Sequence, residues 1–318
     1  MEAIQFNLIH ETEKDSTTML DQEGTITLKP GLRLYYHAFG DKEETMIIPG
    51  ACQLINDLSR LAKECRIIFY DQRGRGKSDC DPDTTSLGNE YEVSDIEIVR
   101  QRFDLEKMTL FGWSYLGGAV ARYAAQYPSR ISRLLLMSPI SPRNPAPYDN
   151  PQVSEQKEQS RIDPGELEQL QKRIDSGQHL SDPEGFCREF MRVLTPRQMG
   201  KPGALQRMQS DPCIYPNEWW HNIREHNRLH FPPETRINYD WRPQVASVSA
   251  PTLVIHGTED LIPLESSKEW CSILPNARLL VIEGVGHYPH LEAPEVFYPA
   301  IDQFLKGNWP DEAIVNIS

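Results

Sequence analysis

The sequence predicts an α/β protein: a mostly parallel sheet of about eight strands, with helices on both faces and one helical insertion. Three observations lead there. Short apolar runs recur along the chain, helical patterns lie between them, and one long stretch breaks the alternation.

The elements follow in order. "ITL" from Ile26 and "LRLYYHA" from Leu32 alternate apolar and polar residues and predict an antiparallel pair at one edge of the sheet. Six further runs predict strands: "TMII" from Thr45, "RIIFY" from Arg66, "MTLF" from Met108, "ISRLLLM" from Ile131, "PTLVIH" from Pro251 and "ARLLVI" from Ala277. Helical patterns at Leu54–Leu61, Val93–Phe103, Gly117–Gln126, Pro263–Ile273 and Pro294–Leu305 separate them, which argues for crossover units and hence parallel pairing. From Ser141 to Val248 the rhythm stops. This stretch is rich in Pro, Glu, Gln and Arg, with helical patches at Pro164–Ile174 and Glu184–Leu194 and an aromatic run, "CIYPNEWWHNIREHN", from Cys213. Its apolar and aromatic content is too high for a disordered linker. Residues 1–140 and 249–318 are therefore expected to form the core domain, and residues 141–248 a folded helical cap, or lid, inserted into it.

Composition excludes some roles. A net charge of −13 disfavours nucleic-acid and anionic-membrane partners, which need clustered Lys and Arg. No window reaches the roughly 18 apolar residues of a membrane span. The start, "MEAIQFNLIHE", lacks the basic and apolar regions of a secretory signal, so a soluble cytoplasmic protein is expected. The six cysteines are scattered singly, so free thiols are expected rather than disulfides or zinc ligands. The nine histidines include no H-E-x-x-H, and neither metal nor cofactor is implied. The remaining partner is a small-molecule substrate; composition does not distinguish a monomer from a homo-oligomer.

Chemistry concentrates at the carboxyl ends of the predicted strands. "TLFGWSYLGG", Thr109–Gly118, runs from strand to helix through Ser114. A turn that lifts a serine hydroxyl clear of a sheet brings backbones close together and needs small residues beside it. Gly112 fits this pattern, whereas Leu116 stands where the G-x-S-x-G form has glycine, and Gly117 and Gly118 arrive late. Alone the motif is weak. A serine also needs a histidine to take its proton and a carboxylate to orient the imidazole. "PTLVIHGTED" ends in Asp260, with Glu259 as an alternative, and "ARLLVIEGVGH" ends in His287, with His290 as an alternative. The order Ser114, Asp260, His287 and the three strand ends suit nucleophilic acyl transfer. Oxyanion donors are expected from the backbone amides of Ala51, in "PGAC", and Tyr115. His256 lies inside a strand and reads as structural. "DQRGRGKS" contains G-K-S, but Asp71 stands where a phosphate-binding loop requires its first glycine, so a structural turn is expected.

The run "YDQRGRGKSD", the "GWS" turn, "PTLVIHGTED" and Gly286-His287 together resemble the α/β-hydrolase superfamily, and within it the prolyl iminopeptidase-like serine hydrolases. The resemblance covers most of residues 25–140 and 245–306. It implies an eight-stranded sheet, a helical cap after the sixth strand, a Ser-His-Asp site and no cofactor. Prolyl iminopeptidases hold the free amine of their substrate with cap acids, for which Glu189 and Glu218 are the candidates here. Trp113, Tyr115 and Leu116, with Tyr215, Trp219 and Trp220 from the cap, suggest a hydrophobic substrate pocket. The leading expectation is a serine hydrolase cleaving a small carboxylic ester or amide through an acyl-enzyme. Alternatives are a prolyl iminopeptidase, a lyase or carbon–carbon bond hydrolase, and a small-molecule-binding protein on the same fold.

Overall fold

The computed structural model describes residues 21–81, 89–150, 156–157, 159–214 and 238–315. The strands are β1 (Asp21–Lys29), β2 (Leu32–Phe39), β3 (Thr45–Pro49), β4 (Arg66–Tyr70), β5 (Met108–Trp113), β6 (Ile131–Met137), β7 (Arg143–Asn144), β8 (Tyr239–Asp240), β9 (Thr252–Gly257) and β10 (Ala277–Ile282). Eight of them form one sheet in the order β1-β2-β4-β3-β5-β6-β9-β10. β2 pairs antiparallel with both β1 and β4, and the other pairings are parallel.

The apolar runs form strands because the sheet is covered on both faces. Along β3, Met46 and Ile48 enter one apolar cluster while Ile47 enters the other. Along β6, Leu135 and Met137 face one side and Leu134 and Leu136 the other. Such strands have no polar face and read as continuous apolar segments. Phe297, Ile301 and Phe304 of the helix Pro294–Leu305 cover the first face; Val120 and Tyr123 of Leu116–Gln126 and Trp270 of Leu264–Ile273 cover the second.

Two helices begin earlier than their periodicity indicates. The first spans Ala51–Leu58, because Gly50, at φ 88°, turns the chain sharply off β3, and Asp71 Oδ1 accepts the Cys52 N–H at 2.7 Å. The second spans Asn89–Arg102.

β3 and β5 are neighbours, yet β4 lies between them in sequence and on the far side of β3. The chain thus reverses its direction of travel across the sheet, and a crevice opens at the carboxyl ends of β3 and β5. Pro49 leads out of one strand and Ser114 out of the other.

Between β6 and β9 the chain leaves the sheet. β7 and β8, at the two ends of this excursion, pair antiparallel through Arg143 with Asp240 and Asn144 with Tyr239. The excursion includes helices at Pro164–Asp175 and Pro183–Leu194, each started by an aspartate side chain (Asp163, Asp182) that accepts a backbone N–H of the first turn. Leu170, Val193 and Leu194 form a small apolar cluster of their own.

One expectation is corrected here. Cys187 and Cys213 form a disulfide, with Cα atoms 5.7 Å apart, while Cys52, Cys65 and Cys271 are free thiols. The two partners are 26 residues apart, and only the turns after Pro183–Leu194 bring them together. Single cysteines without a motif give no signal of such a pairing. Tyr215, Glu218, Trp219 and Trp220 lie outside the described residues.

Candidate active site

Ser114 directly follows β5 and has φ 56°, in the left-handed region that side chains rarely adopt. Such a conformation costs of order 1–3 kcal/mol and persists only where the surroundings hold it. Here the Ser114 N–H donates to Met137 O at 2.9 Å, and the Ser114 carbonyl accepts from Gly117 N at 3.1 Å and Ile140 N at 3.3 Å.

The same packing explains the displaced glycine. A Cβ on Gly112 would lie 2.5 Å from Val120 Cγ2 and 2.7 Å from Leu116 O, so the strand and the new helix touch backbone to backbone. A Cβ on Gly117 would meet Pro139 at 2.9 Å, and one on Gly118 would enter the Trp241 ring at 2.1 Å. Leu116 lines the cavity. Its side chain leans toward the Gly50 turn, with Cδ1 3.5 Å from where a Cβ on Gly50 would sit.

His287 and Asp260 meet as the sequence predicts. His287 Nδ1 lies 2.9 Å from Asp260 Oδ2 and 3.1 Å from Oδ1, leaving Nε2 as the other working nitrogen. Both residues are buried, and Asp260 Oδ1 also accepts the Ile262 N–H at 3.0 Å. Burial pushes the Asp260 pKa up, but the adjacent imidazole outweighs it, and the carboxyl is held below the usual range. The alternatives are otherwise engaged. Glu259 forms ion pairs with Arg161 and Lys157. His290 is buried, and burial depresses its pKa to about 3, which keeps it neutral. His256 is fixed inside β9 by Ser267 Oγ at 2.8 Å and Ile262 O at 3.0 Å.

A buried carboxylate holds the histidine loop. Glu292 accepts the backbone N–H groups of Gly286 (3.0 Å), Tyr288 (3.2 Å) and Lys201 (2.8 Å). The His287 N–H donates to Gln198 O at 2.7 Å, so the loop is also tied to the excursion. Gly286 permits this approach, since a Cβ there would fall 2.2 Å from Gln198 O. Sequence reasoning missed Glu292, which lies in no motif.

Ser114 and His287 line one cavity of about 250 Å³. Trp113 and Tyr115 line it as well, and Trp113 donates its indole N–H to His287 O at 3.1 Å. Leu194, Thr195 and Gln198 form the wall contributed by the excursion. Of the two expected oxyanion donors, Tyr115 lines the cavity. Ala51 is buried at the first position of its helix, and its N–H has no acceptor among the described residues. Gln53, two residues on, lines the cavity instead. Of the expected amine-binding acids, Glu189 forms an ion pair with Arg173.

"DQRGRGKS" is a structural turn, and it also reaches the site. Asp71 accepts from Cys52 N and Lys77 N at 2.7 and 2.9 Å, and a Cβ on Gly76 would collide with its carboxylate at 2.0 Å. The turn places Arg75 in the cavity wall, with its guanidinium carbon 5.5 Å from the centre of the Tyr115 ring. Gln72 donates to Tyr115 Oη at 2.8 Å, and Tyr115 donates to Glu92. The flanking glycines of Arg75, both at positive φ, were the available signal for an inward-turned residue.

Comparison with known proteins agrees with this architecture. A proline iminopeptidase from Heyndrickxia coagulans is 26% identical over 271 residues, covering 81% of this chain and 88% of that one. An esterase from Exiguobacterium antarcticum superposes with a TM-score of 0.63 at 21% identity, over 90% of this chain and 100% of its own. A meta-cleavage product hydrolase from Pseudomonas fluorescens gives 0.65 at 22%, over 89% and 97%. The family model described as alpha/beta hydrolase fold matches residues 47–294, and the chain belongs to that family of hydrolases.

Proposed function

We propose that the protein is a serine hydrolase that cleaves a small carboxylic ester or amide through an acyl-enzyme. The observation that carries this is Ser114, strained at φ 56° on the turn after β5, in one cavity with a His287 whose Nδ1 is held by Asp260. Ser114 Oγ attacks the carbonyl as His287 Nε2 takes its proton, and Asp260 stabilises the imidazolium. The amides of Tyr115 and Ala51 receive the developing oxyanion. His287 then returns the proton to the leaving group and activates the water that frees the acid. Residues 141–248 act as a cap over this site, and Trp113 with Leu194 gives the pocket its apolar wall. A volume of about 250 Å³ suits a small acyl group, below the roughly 300–1,000 Å³ of drug-sized sites.

A second reading, the prolyl iminopeptidase, is favoured by the 26% identical relative. It loses Glu189 as an amine anchor because that carboxylate is paired with Arg173. The cytoplasmic location expected from sequence has the Cys187–Cys213 disulfide against it, because such bonds persist mainly in oxidising compartments.

A fluorophosphonate probe tests the reading. Wild type should be labelled and Ser114→Ala should not, with ester turnover falling by at least about 10³-fold. Retention of full esterase activity in Ser114→Ala would sink the acyl-enzyme mechanism.

A further inference from the structure

We propose that the substrate carries an ionised carboxylate, held by Arg75 and Arg197 in the wall of the cavity that contains Ser114. The inference rests on the serine-hydrolase reading and narrows its substrate class.

The chain carries a net charge of −13, yet the described lining of its candidate site contains two arginines. Among the described residues, no carboxylate lines the cavity, whereas two arginines do. They arrive from opposite sides. Arg75 comes from the turn after β4, between Gly74 and Gly76, and is only 9% exposed. Arg197 comes from the Thr195–Gln198 turn of the excursion, immediately before the residue whose carbonyl holds the His287 backbone. A guanidinium does not lose its proton at any working pH, so each arginine keeps its own charge and donors.

The acids described near the two arginines have partners of their own. Glu92 faces Arg75 electrostatically, and its Oε1 accepts from the Tyr115 hydroxyl. Asp260 is committed to His287 and Ile262. Each guanidinium has five N–H donors in a planar fork, enough to keep a protein partner and also bind a carboxylate in bidentate fashion. In a partly enclosed cavity such bonds are strengthened, and a cationic substrate amine would be repelled. The arrangement therefore favours the hemi-ester of a dicarboxylic acid, or a similar acyl compound with a second carboxylate, over a peptide with a free amino terminus.

Three 4-nitrophenyl esters of one chain length test the proposal: the monoadipate, the hexanoate and the 6-aminohexanoate. At low, fixed salt, wild type should hydrolyse the monoadipate with a kcat/KM at least tenfold above the hexanoate, with the aminohexanoate slowest. The adipate-to-hexanoate ratio, read within each variant, should fall at least tenfold in Arg75→Gln or in Arg197→Gln. A general structural defect would lower both rates and leave that ratio unchanged. Because either variant may fail to fold, wild type is also assayed for competitive inhibition by free adipate and by 1,6-diaminohexane. Adipate should bind at least tenfold more tightly. A wild-type ratio near one, a preference for the aminohexanoate, or equal inhibition by the two would overturn the proposal. Absence of turnover of all three esters together with absence of fluorophosphonate labelling would instead overturn the serine-hydrolase reading beneath it.

Discussion

Glu292 shows how a residue outside the proposed triad positions it. Its carboxylate gathers the amides of Gly286, Tyr288 and Lys201, and so fixes the loop that carries His287 to the excursion that walls the cavity. Removing it leaves the buried N–H groups of Gly286 and Tyr288, and that of Lys201, without their acceptor, a loss of about 1–3 kcal/mol even for one buried group. Glu292→Ala should therefore destabilise the protein by about 3 kcal/mol in urea unfolding, and should lower kcat more than it raises KM. A variant with unchanged stability and kcat would show that the loop holds itself. The late glycine teaches a related lesson. The packing requires glycine at 112, 117 and 118, where the helix backbone, Pro139 and the Trp241 ring crowd, whereas the Leu116 side chain approaches the Gly50 turn and lines the cavity. Ser114, Asp260 and His287 were legible because each ends an apolar run in a fixed order. Glu292 and Arg75 were not, because a charged residue in a turn belongs to no periodicity and its direction depends on the folded neighbours.

At the scale of elements, the sheet was legible almost throughout. Strands covered on both faces leave continuous apolar segments such as "RIIFY" and "ARLLVI", and β4 and β10 occupy those segments without a shift. The alternation of β1 and β2 marked an antiparallel pair at the edge, and it is β2 that runs against the other strands. Starts of helices were less legible, because Gly50 and Asp71 decide where Ala51–Leu58 begins, and neither is part of the helical pattern. The disulfide was not legible at all, since it joins Cys187, on the helix Pro183–Leu194, to a loop that only folding brings alongside. That helix carries Leu194 into the cavity wall, so the bond ties the wall to the residues that follow it. A cross-link closing 26 residues is worth roughly 3 kcal/mol in the chain-entropy account. Cys187→Ser with Cys213→Ser, or reduction of the wild type, should lower stability by about that amount and speed amide exchange within residues 183–214. Equal exchange before and after reduction would mean that the helices hold the wall without the bond.

For the whole molecule, buried titratable groups pull the pH dependence of stability in opposite directions. Burial raises Glu92 from the ordinary 4.5 to about 7, with the Tyr115 hydrogen bond opposing the rise. Its folded state therefore holds a proton that the unfolded chain has lost. Its contribution is full below pH about 4.5 and disappears as pH climbs to about 7. Burial drives His290 the other way, from 6.5 to about 3, and His256 shifts in the same direction. These histidines stay neutral while the unfolded chain binds protons, so they weaken the fold as pH falls below 6.5. Between 4.5 and 6.5 the two effects oppose one another, and the wild type should show a shallow profile there. Glu92→Gln removes one arm: its stability, from urea midpoints, should rise more steeply between pH 4.5 and 7 than that of wild type. His290→Phe removes part of the other, and its stability should rise less than that of wild type, or fall, across the same interval. If both variants kept the wild-type slope, neither group would titrate differently in the folded and unfolded chains, and the opposition would not exist.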